Sequence, residues 1–576
     1  MISNAEVAKV LREIGEYLEM QGVAFKPRAY EKAADAVAGS GEQVSEIYEK
    51  GGLKTLEEIP GVGASIAEKI EELLKTGRLK YYEELKKKTP VDLSNLTQIE
   101  GLGPKNIKKL YENLKIKNLD DLEKAARAGK IRRLESFGEK SEERILKGIE
   151  FLKKSGGRAV LGFIMPVVRN IEERLKSLGE VEKVAVCGSI RRMQETIGDI
   201  DILVTSKKPR SVIDYFAAMP EVEHVYGKGE TKTIVRLKIG LDADLRVVEP
   251  VSYGAAVQYF TGSKEHNIAL REIAIKKGYK LNEYGLFSSG GGDRMIAGRD
   301  EKGIYEKLGL VWMPPELRTD SGEIEAAKTG KLPKLIEYGS LQGDLQIQTD
   351  WTDGKNSIEE MARAAVSLGL EYIAITDHTE RLAMTGGLDK KKIVKQWAEI
   401  DKIQRKLGGR IKILKGTECD ILKDGSLDLP DKVLAKLDVV GVAIHSRFNL
   451  SRRDQTERVK KAISNKHVHI FFHPTGRIIG RREAYEINMD EITETAKKTG
   501  TVLEIDAFPA RLDLKDEHIR KCVAAGVKMS IDSDAHSVSH FQYLEFGIAQ
   551  ARRGWAERND IINAWPLEKM RKFLKR

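Results

Sequence analysis

Asp199 and Asp201, two carboxylates separated by one apolar residue in GDIDILV, are the side chains in this sequence best spaced to hold metal ions. Alternate residues of a strand face the same side, so both acids project from one face. Two magnesium ions need carboxylate oxygens shared between them, and ions so held activate a hydroxyl nucleophile and neutralise a departing pyrophosphate. A third acid from a neighbouring strand would complete the site. DADLRVV offers Asp242 and Asp244 on one face, and spacing does not separate them. Upstream, in CGSIRRMQETIGDIDILV, Gly188 and Ser189 stand at the start of a predicted helix.

A second concentration of metal-binding side chains lies towards the C-terminus, where eight of the ten histidines fall within residues 336–576. Several follow apolar strands directly. Asp353, Asp377-His378, Glu418, Asp420, His445, His473, Asp534 and His536 supply imidazole and carboxylate groups suited to zinc or manganese, enough for more than one ion.

The elements that must position these groups differ along the chain. At 576 residues, with 41% hydrophobic and 32% charged residues, the sequence predicts a modular globular protein of several domains. No apolar run approaches the roughly 18–20 residues that span a bilayer, so no membrane partner is expected. The N-terminal segment has helical spacing with interleaved acids and reads as structure rather than a signal peptide. Cys187, Cys419 and Cys522 lie far apart with no CxxC spacing, which argues against disulfides and a cysteine zinc site and fits a reducing, cytoplasmic compartment. The net charge of +10 suits a polyanionic partner but is diluted; residues 1–150 carry 27 basic and 27 acidic side chains.

Helical spacing dominates residues 1–85, as in Val7, Val10, Leu11, Ile14 and Leu18. LEEIPGVGASIAEKI at 56–70 and LTQIEGLGPKNIKKL at 96–110 resemble each other, each placing a Gly-apolar-Gly turn between short helices. Gly61 and Gly63, and again Gly101 and Gly103, permit a tight hairpin whose backbone N–H groups can approach a phosphate, with Lys105, Lys108 and Lys109 just after the second. That predicts a sequence-independent grip on nucleic-acid backbone by helix-hairpin-helix elements. From about residue 158, VEKVAVCGS, DIDILVT, TIVRLKI and DADLRVV predict a mixed sheet. Residues 336–576 alternate apolar strands with helices, the pattern of a β/α barrel-like domain with its chemistry at the strand C-termini.

The stretch Gly188-Ser189…Arg191-Arg192…Gly198-Asp199-x-Asp201, followed by Asp244-Leu245-Arg246, resembles the palm of DNA polymerase β and its family X relatives. The resemblance selects Asp244 as the third catalytic acid and implies that Gly188, Ser189, Arg192 and Gly198 hold the triphosphate. YFTGSKEHNIALREIA at 259–274 is similar to the family's thumb element. Tyr259 and Phe260 are thereby implied to pack on the nucleotide sugar, Gly262 to belong to the nucleotide-binding site, Asn267 to reach the minor-groove edge of the incoming base, and Arg271 to contact the template side. A contact to that edge senses pair shape without naming the base.

Lys69 stands where β-type members carry the Schiff-base lysine of a deoxyribose-phosphate lyase, and Lys26, Arg28, Tyr30 and Lys32 resemble the phosphate pocket; Ser65 replaces a second lysine. The C-terminal portion resembles the PHP (polymerase and histidinol phosphatase) domain of prokaryotic family X polymerases, associated with 3′→5′ exonuclease and abasic-site cleavage. That domain opens with a His-x-His strand, where GDLQIQTDWTDG has Gln346 and Gln348. A neutral amide carbonyl is a poor zinc ligand, so at least one ion should be weakened or lost.

The sequence therefore predicts a helical lyase-like domain over 1–85, fingers over 86–155, an α+β nucleotidyltransferase palm over 156–250, a thumb over 251–317, a linker over 318–335 and a PHP-like domain over 336–576. The implied activity is gap filling in base excision repair by a monomer, with gapped or primed DNA and dNTPs as partners. The implied ions are Mg²⁺ or Mn²⁺ at the first site, Zn²⁺ or Mn²⁺ at the second, and a monovalent cation at the hairpins. Terminal transfer without a template would use the same palm residues. An end-binding scaffold is the other alternative, but it has no need of three converging, mutually repelling acids.

Overall fold

The computed structural model describes the chain apart from residues 1, 3, 39, 41, 98, 100, 155, 156, 290–293, 383, 384 and 576. Up to Lys154 the described elements are helices, and one apolar core runs through them. Val7, Leu11, Ile14 and Leu18 of the helix Asn4–Met20 bury one face, as their spacing requires. Ile66 and Ile70 from the first hairpin join the same core as Ile107 and Leu110 from the second.

The next unit is a five-stranded sheet in the order Val181–Val186, Asp199–Ser206, Asp242–Val247, Lys232–Leu237, Val222–Lys228. Its single parallel pair joins Asp199–Ser206 to Asp242–Val247; the other neighbours are antiparallel. The helix Leu161–Lys176 packs Ile164, Val168, Ile171 and Leu175 into the sheet's core. Helices Tyr253–Thr261 and Lys264–Lys276 follow, with a small antiparallel sheet of Tyr279–Asn282, Gly285–Ser288 and Met295–Ala297.

Seven parallel strands then run in chain order, from Gly343–Ile347 to Met529–Asp532. Every residue of strands such as Val439–Ala443 is buried, as expected for a parallel sheet covered on both faces. The first and last strands meet: Ile347 and Ala535 form a parallel bridge, and the Gln348 N–H donates to the Ala535 carbonyl at 2.8 Å. The sheet is thus a nearly closed barrel. Where the strands begin, the Tyr372 hydroxyl donates to the Trp565 carbonyl at 2.9 Å and Asn563 to the Gly343 carbonyl at 2.9 Å, so the C-terminal segment covers that end. The opposite end, where the strands finish, carries the polar residues. No helix among the described residues is long and apolar enough to cross a membrane.

Candidate active sites

The parallel register places Asp199 opposite Asp242 and Asp201 opposite Asp244, so the four acids share one face of two adjacent strands. Both acids of the second strand face cations. Asp242 is paired across the sheet with Arg236, whose Nε lies 3.0 Å away. Asp244 places Oδ2 within 3.1 Å of both Lys232 and Arg246, and its Oδ1, like that of Asp242, is buried without a hydrogen-bond partner. Burial, then the charges of Asp199 and Asp244, push the Asp201 carboxyl up to about 6. An acid raised by two acidic neighbours, with an unpartnered carboxylate oxygen among them, fits a divalent-cation site.

Gly188 lies against this cluster with φ 62°, and an added Cβ would run into the Asp201 carboxylate. Only glycine meets both conditions without strain. Arg192 donates from Nη1 to the Thr261 carbonyl, tying the palm loop to the helix that carries Tyr259 and Phe260. A Cβ at Gly262 would approach that guanidinium to 2.9 Å, so Gly262 leaves room for it. Ser189 is half-buried beside Gly188, and Gly198 is exposed. Tyr259 and Phe260 meet edge to face at 5.1 Å, with Arg246 over the Phe260 ring at 4.6 Å. Asn267 is already engaged: it donates to the Tyr259 carbonyl at 2.7 Å and accepts from Gln258 at 2.7 Å. Arg271 is exposed one turn further on, its Nε 3.3 Å from the Asn267 carbonyl.

The two hairpins repeat one backbone. Gly61 and Gly101 have φ 83° and 82°, and Gly63 and Gly103 are the N-cap residues of Ala64–Thr76 and Pro104–Leu114. Added Cβ atoms at Gly63, Gly101 and Gly103 would meet nothing within 4 Å, and Lys105 is exposed beside the second turn. Gly61 differs, since its Cβ would strike Lys32 at 2.8 Å; the first turn is backed by the helix Lys26–Ala38. That helix buries Tyr30 and leaves Lys26 exposed. Lys69, one turn into Ala64–Thr76, lies 2.9 Å from the Ser65 carbonyl, 3.0 Å from its hydroxyl and 5.2 Å from the Tyr81 ring centroid. Partial burial, helped by Lys26, lowers its pKa against the opposing pull of Glu68.

At the barrel mouth Glu418 is the hub. Its Oε1 lies 2.9 Å from His445 Nε2 and 2.8 Å from His473 Nε2, and its Oε2 lies 3.5 Å from His378 Nδ1. Despite full burial, which opposes ionisation, these imidazoles hold Glu418 well below the usual carboxylate range. Asp353 bridges His378 and His536 at 3.6 Å each. Two groups, Asp353/His378/His536 and His378/Glu418/His445, bring their ligand atoms within 4.8 Å of one another. His473 and Asp534 have positive φ, 29° and 47°, a conformation that concentrates at functional sites. Gln346 and Gln348 are fully buried and donate to the same oxygen, Glu418 Oε2, at 3.2 and 2.7 Å, while their own carbonyl oxygens lack partners. The imidazole and carboxylate groups suit divalent metals; the glutamine corner does not suit zinc.

Family models match in series: a helix-hairpin-helix domain over residues 2–79, a SAM-like helix-hairpin-helix tandem over 93–150, the DNA polymerase beta palm over 164–234, the DNA polymerase beta thumb over 256–319 and the PHP domain over 344–507. The DNA polymerase/3′-5′ exonuclease PolX of Bacillus subtilis is 37% identical over 574 residues, covering 99% of both chains. The chain belongs to family X of the DNA polymerases. A probable phosphatase of Caldanaerobacter subterraneus subsp. tengcongensis is 32% identical over 191 residues, 31% of this family X chain and 70% of the phosphatase. One from Thermoanaerobacter sp. strain X514 is 31% identical over 194 residues, 31% of this chain and 73% of that protein.

Two charged residues at these sites carry no sequence motif. Arg511 is half-buried at the barrel mouth, with Nε 3.4 Å from Asp506 and 3.7 Å from Asp534. Glu195, four residues before Asp199, is held by side chains of the barrel domain. A charged residue soon after a strand end, as in TVLEIDAFPAR, was the available hint for Arg511. Nothing local marks Glu195.

Proposed function

We propose that this family X chain is a DNA-directed DNA polymerase that fills short gaps, with Asp199, Asp201 and Asp244 as its metal-binding acids. The observation that carries the reading is the Asp201–Asp244 register beside Gly188, which gathers three repelling acids next to Arg192. Bound Mg²⁺ or Mn²⁺ would supply charge neutralisation and activation of the primer 3′-hydroxyl. The chain's own groups do the rest. Ser189, the Gly188 backbone and Arg192 receive the triphosphate, with Gly198 leaving the approach open. Tyr259, Phe260 and Gly262 seat the sugar. Asn267 turns its amide from Gln258 and the Tyr259 carbonyl towards the base edge, and Arg271 meets the template strand. The hairpin turns at Gly61/Gly63 and Gly101/Gly103, the latter with Lys105, each take a backbone phosphate and a monovalent cation.

A one-nucleotide gapped duplex with a 5′-phosphate is extended by one templated nucleotide, and a single-stranded primer is not. Equal, untemplated extension of the single strand would instead assign the palm to terminal transfer.

The lyase reading rests on Lys69, whose lowered pKa enlarges the fraction of free amine able to attack an aldehyde. Lys26, Tyr30 and Lys32 would hold the 5′-phosphate, although Lys32 also faces Glu360 of the barrel domain at 3.9 Å. Borohydride reduction on an incised abasic duplex traps the protein covalently, and Lys69→Ala lowers trapping by about a hundredfold or more. Undiminished trapping in that variant removes Lys69 from the role.

At the barrel mouth the donor groups support a phosphodiesterase with an impaired metal complement. Asp353, His378 and His536 would hold one Zn²⁺ or Mn²⁺; Glu418 and His445, with the other face of His378, would hold a second, and His473 orients Glu418. Asp534 lies beside Arg511 and His536. Exonuclease or abasic-site cleavage at this site is accordingly weak.

A further inference from the structure

Between Arg192 and Asp199 the palm runs through a loop held from two sides: by the palm's own short pair of Ala159–Val160 with Thr196–Ile197, where the Leu161 N–H donates to the Glu195 carbonyl at 3.0 Å, and by the C-terminal domain. Met193 has φ 49°, a conformation that non-glycine residues seldom adopt and that surrounding contacts must maintain. The Glu195 carboxylate and the Met193 carbonyl are held by side chains of the C-terminal domain. Arg477 forms a two-pronged pair with Glu195, Nη2 to Oε1 at 2.6 Å and Nη1 to Oε2 at 3.1 Å, and Gln550 donates to Oε1 at 2.8 Å. Arg553 donates to the Met193 carbonyl at 2.8 Å and is itself fixed by Asp516 at 2.7 and 3.0 Å. Arg477 also donates to the Leu512 carbonyl. The seat is backed by apolar packing, because Leu512 and Phe546 of the barrel domain are buried in the palm's core cluster. Pro509 lies so close to Gly162 that a Cβ there would collide with it at 2.5 Å.

A planar guanidinium gripping a carboxylate at two points fixes orientation as well as distance. Glu195 is largely buried, so this pair is desolvated and little screened by salt. We propose that Arg477, with Arg553 and Gln550, acts as a positioning group for nucleotidyl transfer, holding the loop that aims Arg192 at the triphosphate. The barrel domain then contributes to dNTP binding without touching the nucleotide. This rests on the polymerase reading above.

The test is steady-state filling of a one-nucleotide gap by the full-length protein, with melting temperature measured alongside. Glu195→Gln keeps the shape and removes the charge; Arg477→Ala removes the grip. Each raises KM for dNTP about tenfold with kcat changed by less than about twofold, and the double variant is no worse than Arg477→Ala, because one contact is lost only once. Arg169→Ala breaks a different pair between the same domains, Arg169–Glu545 at 2.5 Å, and leaves KM unchanged. Unchanged KM in Glu195→Gln, additive losses in the double variant, or an equal rise in Arg169→Ala each overturn the proposal. If Arg477→Ala does not fold, Glu195→Gln against Arg169→Ala decides. No extension by the unsubstituted protein would sink the polymerase reading instead.

Discussion

Asp244→Ala lowers gap filling by on the order of a thousandfold or more while the duplex is still bound, because the hairpins, not the palm acids, grip its backbone. Synthesis within tenfold of the unsubstituted rate would remove Asp244 from the site. The same cluster makes a second, less obvious statement about stability. Burial and its acidic neighbours raise the Asp201 carboxyl to about 6 from an ordinary 3.8. A folded-state pKa above the unfolded one favours folding fully at low pH, and that contribution is lost as pH rises through about 6. In chelator at about pH 8 the ionised cluster costs about 2–3 kcal/mol. Asp201→Asn should then melt several degrees higher than the unsubstituted protein in EDTA at that pH, show no advantage near pH 4, and lose it again when Mg²⁺ is added. A lower melting temperature in EDTA would show that the acids are not repelling one another.

Gln346→His combined with Gln348→His should add about one tightly bound metal ion per chain and raise manganese-dependent nuclease activity by about two orders of magnitude. The reason is positional. Both amide nitrogens already lie on Glu418 Oε2, at 3.2 and 2.7 Å, so imidazoles there would share an ion with a carboxylate that His445 and His473 already orient. Metal content read by elemental analysis separates binding from chemistry. If it does not change, the glutamines are not what limits the site; if it rises without nuclease activity, the defect lies elsewhere in the barrel mouth.

Much of this architecture was legible because its signals are local. Helical spacing at Val7, Leu11, Ile14 and Leu18, the doubled Gly-apolar-Gly turn and apolar runs ending in Asp or His each follow from the geometry of one element. The choice between Asp242 and Asp244 was not local. All four palm acids face the same side, and what separates Asp244 from Asp242 is the strand register that sets Asp244 opposite Asp201, whose carboxyl its charge helps to raise. The motif at Asn267 likewise gave no sign that its amide is saturated by Gln258 and the Tyr259 carbonyl. Glu195 lies furthest from reach: its partner Arg477 is 282 residues away in sequence, and no periodicity links them.

Leu512 and Phe546 belong by sequence to the barrel domain and by burial to the palm. A chain cut after the thumb would therefore present a raw apolar socket to water, so the two modules are not exchangeable parts joined by a tether.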